Sequence, residues 1–259
     1  MATDVGSDRP ANRLDERLFE RCEALPERLP PGSYVVVDTM HFSNTVIELL
    51  ANGADHVHVA AERGLEFDYR ASNPGTLVGG EATAGYEPAP GYDFINSPSY
   101  VQQLHVGGRP VSMTSTNGGR TVTTLRERAG EQSEVYVGSP LNAKPLARHL
   151  RDRNGDRPVH LVSAGTRGDI AVEDHVGATL VSRYLDGLPP SETERLLFRR
   201  QLRTAKGPDY VEGHERRRRD VLDYAMNLNG REVVPRLVDG VLVDDATRQQ
   251  SRAAGRRTD

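Results

Sequence analysis

The residues that could carry chemistry fall in short segments that each follow an apolar run. They are Asp38-Thr39-Met40-His41-Phe42-Ser43-Asn44-Thr45, Thr114-Ser115-Thr116-Asn117-Gly118-Gly119-Arg120, Gly138-Ser139-Pro140-Leu141-Asn142, and Ala164-Gly165-Thr166-Arg167-Gly168-Asp169 with Glu173-Asp174 one turn further on. In Thr116-Asn117-Gly118-Gly119-Arg120, two glycines let backbone N–H groups approach an anion, and a following helix N-terminus adds partial positive charge. Hydroxyls and Arg120 supply further donors, which makes the segment a phosphate cradle; the same residues also suit an ordinary glycine turn with a helix cap. The Gly-Lys-Ser/Thr ending of a Walker loop and the third glycine of a dinucleotide fingerprint are both missing. A second theme is acidic. Asp38, Glu81, Glu173 and Asp174 are predicted to reach one edge of a sheet, and such hard oxygen ligands suit Mg²⁺. Taken singly, Asp38 also suits a helix cap, and Glu173-Asp174 also read as first-turn acids facing a helix dipole. The eight histidines show no zinc spacing. No Gly-x-Ser-x-Gly elbow marks a serine hydrolase. Arg216 to Arg219 is flanked by Glu212, Glu215 and Asp220 and reads as a solvated helix face.

Positioning these segments requires strands that alternate with helices. Tyr34 to Val37 is a continuous β-branched and aromatic run, as in a buried parallel strand. Ser43 or Asn44 can cap a helix through Val46, Ile47, Leu49 and Leu50, closed by Gly53. Strands are predicted at Val57 to Ala60, Pro110 to Met113, Glu134 to Val137 and Val159 to Ser163, and helices at Arg120 to Arg128, Leu141 to Arg151 and Ile170 to Leu185. This alternation implies right-handed crossovers and an α/β fold of three layers, α/β/α, with a largely parallel or mixed sheet. Leu14, Leu18, Cys22 and Leu25 recur at helical spacing before Pro26. Asn73 to Pro98, rich in Gly, Pro and Asn, reads as a long binding loop or lid. The last third is helical over Ser191 to Thr204 and Tyr210 to Asn227, then forms a small hairpin over Glu232 to Leu242 turning at Asp239-Gly240. A single domain is expected over residues 14–246, between disordered tails at 1–13 and 247–259.

Composition narrows the function classes. The 259 residues carry 33 basic and 37 acidic side chains, a formal charge of −4 that argues against a chain-wide nucleic-acid surface. Two of the 33 basic residues, Lys144 and Lys206, are Lys, leaving 31 Arg. A single cysteine, Cys22, excludes an internal disulfide framework, so a reduced cytoplasm is the expected setting. No run approaches the roughly 18 apolar residues of a membrane helix, and Met1 to Arg13 lacks the apolar core of a secretory signal. Cytoplasmic α/β enzymes are commonly symmetric oligomers, and a homodimer is the expected assembly.

The ordered set Asp38-Thr39-Met40-His41-Phe42-Ser43-Asn44-Thr45, Gly80-Glu81, Gly91-Tyr92-Asp93 with Asn96-Ser97-Pro98, Thr116-Asn117-Gly118, Gly138-Ser139 with Leu141-Asn142-Ala143, Ala164-Gly165 and Glu173-Asp174 resembles the 2-phosphosulfolactate phosphatase family. The resemblance runs from about Ser33 to Leu242, including Asp220-Val221 and Val234-Pro235 near the end. It implies a Mg²⁺-dependent phosphatase of α/β fold acting on a small sulfonated phosphoester of coenzyme M biosynthesis. One departure matters: the family typically has Asp-x-x-Arg after the first strand, and this chain has His41 there. Arg grips phosphate or sulfonate bidentately and His does not, so the change bears on the substrate.

The expected activity is Mg²⁺-dependent hydrolysis of a small anionic phosphate monoester. Asp38, Glu81, Glu173 and Asp174 are expected to hold the metal, with Asp38 either a nucleophile or a ligand. Thr116, Asn117, Gly118, Arg120, Ser43 and Asn142 are expected around the phosphate, with Asn96 and Ser97 brought in by the long loop. His41 is expected as general acid. Two rivals exist. A haloacid-dehalogenase-type site shares the Val35-Val36-Val37-Asp38-Thr39 opening, but Met40 stands where its second Asp belongs. A non-catalytic anion-binding paralogue is the reading from another class.

Overall fold

The computed structural model describes residues 14–155 and 157–247, so the expected tails lie outside the described residues, Thr247 excepted. The first segment departs from its helical pattern. Helix α1 is only Leu14–Arg17, Leu18–Phe19 form strand β1, and Cys22–Ala24 make one 3₁₀ turn. Leu18 and Phe19 pair in parallel with Leu161 and Val162, so backbone pairing at a sheet edge prevails over the three-to-four-residue spacing of the apolar side chains.

Beyond this segment the alternation holds. Strand β2 (Ser33–Val37) leads to helix α2 (Phe42–Ala51), and β3 (His56–Val59) to α3 (Leu65–Ser72). Strands β4 (Leu77–Gly80) and β5 (Phe94–Ile95) precede α4 (Pro98–Val101), and β6 (Pro110–Met113) precedes α5 (Gly118–Arg128). Strand β7 (Glu134–Gly138) is followed by α6 (Ala143–Asn154), and β8 (Val159–Ser163) by α7 (Val172–Leu185). The helical third consists of α8 (Glu192–Thr204), α9 (Pro208–Glu212) and α10 (Glu215–Arg219), the last running into a π-helix at Asp220–Ala225. The hairpin is β9 (Pro235–Val238) and β10 (Val241–Asp244). Asp239 and Gly240 both have positive φ, as a two-residue hairpin turn demands.

The stretch predicted as one long loop therefore holds two sheet strands. Only the residues between Gly80 and Phe94 connect them; β4 and β5 are too short for an alternation pattern to register.

The strands form one sheet in the order β1-β8-β2-β7-β9-β10-β3-β6-β4-β5. Four parallel strands lie on each side of the antiparallel hairpin, which sits inside the sheet and joins the two halves. Alternate residues of β2 face opposite layers. Tyr34 and Val36 pack with Phe42, Val46, Leu49 and Leu125, while Val35 and Val37 pack with Tyr136, Leu146, Leu150 and Val181. This is the three-layer arrangement, with a core on each face of the sheet. Across the hairpin the two halves run in opposite senses. The ends of β2 and β6 nevertheless meet, since Gly118 at the start of α5, the helix after β6, donates its N–H to Asp38, the residue after β2. Among the described residues, no helix is long and apolar enough to cross a membrane.

Candidate active site

Asp38 is the first residue beyond β2 and is 5% exposed. Its backbone N–H donates to Ser43 Oγ at 2.9 Å, and its Oδ2 accepts the N–H of Gly118, the first residue of α5, at 2.7 Å. Gly118 is required there. A Cβ at this position would lie 2.6 Å from Asp38 Oδ2 and 2.4 Å from Phe42 Cδ1, closer than such contacts occur. The α5 N-terminus thus holds a carboxylate of the protein itself, as helix termini hold anions generally. Burial pushes the Asp38 carboxyl up to about 6, against the Gly118 N–H and the Lys206 charge, which pull it down.

A cleft of about 520 Å³ opens beside Asp38. It is lined by Met40, His41, Ala61, Arg63, Gly80, Asn96, Thr114, Ser115, Thr116, Asn117 and Arg120. Six of the sequence-predicted site residues meet there: Asp38, His41, Asn96, Thr116, Asn117 and Arg120. Asn117 Oδ1 accepts the Arg167 N–H at 3.1 Å, which leaves its Nδ2 for the cleft. Arg120 pairs with Glu23 at 2.5 Å and Arg63 with Glu81 at 2.6 Å, so both guanidiniums stand at the rim with a carboxylate already attached.

Other predicted residues act as framework. Gly118 spends its N–H on Asp38, so it contributes space and an anchor in place of a phosphate contact. Ser43 Oγ receives the Asp38 N–H. Asn142 is fully buried, with Oδ1 accepting Ser139 N–H at 3.0 Å and Nδ2 donating to Val233 O at 3.0 Å. Ser97 caps α4 and donates to Asp220 Oδ1 at 2.9 Å. Each of these side chains closes the shell behind the cleft because its polar atoms already have protein partners.

The four predicted metal acids do not form a set. Asp174 Oδ1 accepts Thr39 N–H at 2.8 Å and its Oδ2 accepts Gly165 N–H at 3.1 Å, so it clasps the ends of β2 and β8. Burial first, then the Asp38 and Glu173 charges, holds its carboxyl well above the usual range. Glu173 is ion-paired with Lys206, and Glu81 with Arg63. Among the described residues, no three His, Cys, Asp or Glu side chains stand together as a ligand group. Two oxygen groups do suit a hard cation. Asp38 is the one carboxylate lining the cleft, and Asn96 Oδ1, in the same lining, is buried with no hydrogen-bond partner. One carboxylate and a carbonyl oxygen, with substrate phosphate and water completing the shell, match the usual way Mg²⁺ is held.

His41 precedes the first turn of α2. Its Nε2 lies 2.5 Å from Tyr210 Oη, and its Nδ1 is buried without a partner. Burial pushes the imidazole below its usual range, with the Asp220 charge opposing. Four site residues escaped the sequence reading: Arg63, Lys206, Tyr210 and Asp220. Arg63 follows β3 and obeys the same strand-end rule that found the others. Lys206 carried one signal, as one of only two lysines in an Arg-rich chain. Tyr210 and Asp220 lie in the helical third; Asp220 entered the family resemblance through Asp220-Val221 without a role, and nothing in the local pattern marks Tyr210.

A sequence profile described as 2-phosphosulpholactate phosphatase matches residues 20–210. A protein of Symbiobacterium thermophilum, named Probable 2-phosphosulfolactate phosphatase, is 35% identical over 183 residues, covering 67% of this chain and 75% of its own. Proteins with the same printed name from Gloeobacter violaceus (32% identity, 68% of this chain, 72% of the relative) and Clostridium beijerinckii (30% identity, 59% and 62%) are also similar.

Proposed function

Because this chain belongs to the 2-phosphosulfolactate phosphatase family, we infer that it is a phosphoric monoester hydrolase whose substrate is a small phosphorylated, sulfonated acid of the 2-phosphosulfolactate class. The observation that supports this reading most is the junction of Asp38 with the α5 N-terminus at the floor of the cleft. Thr114, Ser115 and Thr116 offer hydroxyls, Asn117 an amide, and Arg63 and Arg120 guanidiniums, a donor set for an anion carrying more than one charged group. A cleft of about 520 Å³ suits a small molecule.

Asp38, ionised above about pH 6, takes a proton from the attacking water. That oxygen bonds to phosphorus, the ester P–O bond breaks with its electron pair on the leaving oxygen, and this alkoxide takes a proton from solvent water while Asp38 returns its own proton to solvent, which restores the resting site. His41, neutral at physiological pH because it is buried, contributes an N–H donor to the substrate in place of the imidazolium expected of a general acid. At the position where the family resemblance implies an Arg, neutral His41 puts no fixed charge on the wall of the cleft, which favours a substrate with less charge at that point. Mg²⁺ bound by Asp38 and Asn96 would neutralise phosphoryl charge as it develops.

The test is inorganic phosphate release from 2-phosphosulfolactate and a panel of other small phosphate monoesters, with Mg²⁺ and after its removal by chelation. Release that is fastest with sulfonated or carboxylated esters and lost on chelation supports the reading. No release from any ester, with phosphate still raising the melting temperature, would identify a non-catalytic anion-binding protein instead.

A further inference from the structure

Helix α9 brings Tyr210 against His41. Oxygen and Nε2 are 2.5 Å apart and the two rings stack with an interplanar angle of 19° and centroids 6.0 Å apart. Tyr210 is itself fixed from behind, since the Arg217 guanidinium lies 4.9 Å from its ring centroid and also 4.3 Å from that of Tyr86. Arg217 offers no acceptor. His41 Nε2 is the one hydrogen-bond partner of the Tyr210 hydroxyl among the described residues. The phenol is held protonated, because burial pushes its pKa far above neutral.

A hydroxyl with one proton and one nearby nitrogen has two choices. If Nε2 carried the ring proton, the phenol proton would be left without an acceptor and the buried Nδ1, on a residue that lines the cleft, would keep a bare lone pair. If the phenol donates to Nε2, its proton is satisfied and Nδ1 carries an N–H, the polarity that a phosphorylated acid requires. The charged groups acting on His41 are Asp220, Glu173, Lys206 and Arg217, and no acceptor among them reaches Nδ1 within hydrogen-bond distance.

We propose that Tyr210 is a positioning residue for His41: its hydroxyl donates to Nε2, fixes the ring as the Nδ1–H tautomer, and leaves that N–H for an oxygen of the bound substrate. The functional half of this proposal rests on the phosphatase reading; the tautomer does not. An isolated neutral imidazole prefers the Nε2–H form, so the two cases are distinguishable in the resting protein.

The experiment is a long-range ¹H–¹⁵N correlation spectrum of the full chain, with the His41 ring assigned by its disappearance in His41→Gln. An Nδ1–H pattern in the wild type is expected, and an Nε2–H pattern would overturn the proposal. In Tyr210→Phe the ring is expected to revert toward Nε2–H, and an unchanged Nδ1–H pattern would equally overturn it. Should that variant not fold, the wild-type spectrum decides alone. In steady-state assays Tyr210→Phe is expected to lower kcat about tenfold with KM within about twofold, the size of one weakened hydrogen bond to the transition state. His41→Asn, whose amide nitrogen sits near the place of Nδ1, is expected to keep more kcat than His41→Gln, whose amide nitrogen sits near Nε2. The reverse order would contradict the assignment. Absence of turnover in the wild type, alongside an Nδ1–H spectrum, would refute the phosphatase reading and leave the tautomer standing.

Discussion

Replacing Gly118 by Ala tests whether the contact between α5 and Asp38 controls the site. An added Cβ meets Phe42 Cδ1 at 2.4 Å, Asp38 Oδ2 at 2.6 Å and Asp38 Cβ at 2.8 Å, whereas ordinary contact begins at 3.4 Å. The worst of these is short by about 1 Å. Phe42 is fully buried and Asp38 nearly so, and neither has space to give way, so the α5 N-terminus must retreat. Overpacking of this kind costs about 1–3 kcal/mol, which lowers the melting temperature of a chain this size by roughly 2–12 °C. A displacement of about 1 Å at a reacting carboxylate costs on the order of 10²-fold in kcat. Gly107 supplies the control, because a Cβ there meets nothing within 4 Å. Phosphate release and thermal melting are measured on both variants. Gly118→Ala is expected to lose about 10²-fold in kcat while remaining folded, and Gly107→Ala to match the wild type in both assays. Wild-type turnover in Gly118→Ala would refute the placement of Asp38 at the centre of the site.

The pH profile follows from the same carboxyl. Burial shifts Asp38 up to about 6 in the metal-free chain and Mg²⁺ held by Asp38 would pull it down, so kcat should fall with pH on an acidic limb below about 6 that moves lower as Mg²⁺ is raised, and a limb indifferent to Mg²⁺ would argue against Asp38 as its ligand. Stability has the opposite sign, because a folded-state value above the ordinary 3.8 means that the folded protein binds more protons than the unfolded chain between 3.8 and about 6. The charged form therefore costs stability above about pH 6, so Asp38→Asn in metal-free buffer should melt higher than wild type at pH 8, with the gap closing below about pH 4. Outside the cleft lining, Arg231 holds Glu48, 1% exposed, through contacts of 2.9 and 2.8 Å. Arg231→Met leaves that carboxylate unpaired and should cost about 3 kcal/mol in urea denaturation, with kcat per folded molecule unchanged. Loss of Lys206 should act on the site instead: Lys206→Met strands Glu173, 2% exposed, beside Asp38, and should shift the acidic limb of the pH profile upward.

Local patterns carried the strand-helix alternation because β2 and β7 hold uninterrupted apolar runs, Tyr34 to Val37 and Val135 to Val137, with helices behind them. They failed where pairing partners are remote. Leu18 and Phe19 satisfy helical spacing, yet they lie in the sheet beside Leu161 and Val162. The Asp239-Gly240 turn was legible, but the position of its hairpin between β7 and β3 depends on strands about a hundred residues or more away in sequence. The same limit governed the site. Strand-end reasoning found Asp38, Thr116, Asn117 and Arg120, all of which line the cleft. It could not tell which acids were already satisfied: Asp174 by the Thr39 and Gly165 amides, Glu173 by Lys206, Glu81 by Arg63. Nor could it place Tyr210 on His41, since that contact spans 169 positions.

The most direct test of the account is phosphate release from 2-phosphosulfolactate by the wild type and by Asp38→Asn, with melting curves recorded on the same preparations. The expected result is turnover in the wild type and a loss of more than about 10³-fold in Asp38→Asn, in a protein that still melts cooperatively and no lower than the wild type at pH 8. Asp38→Asn turnover within about threefold of wild type, less than roughly 1 kcal/mol of transition-state stabilisation, would contradict it and move the chemistry elsewhere on the chain.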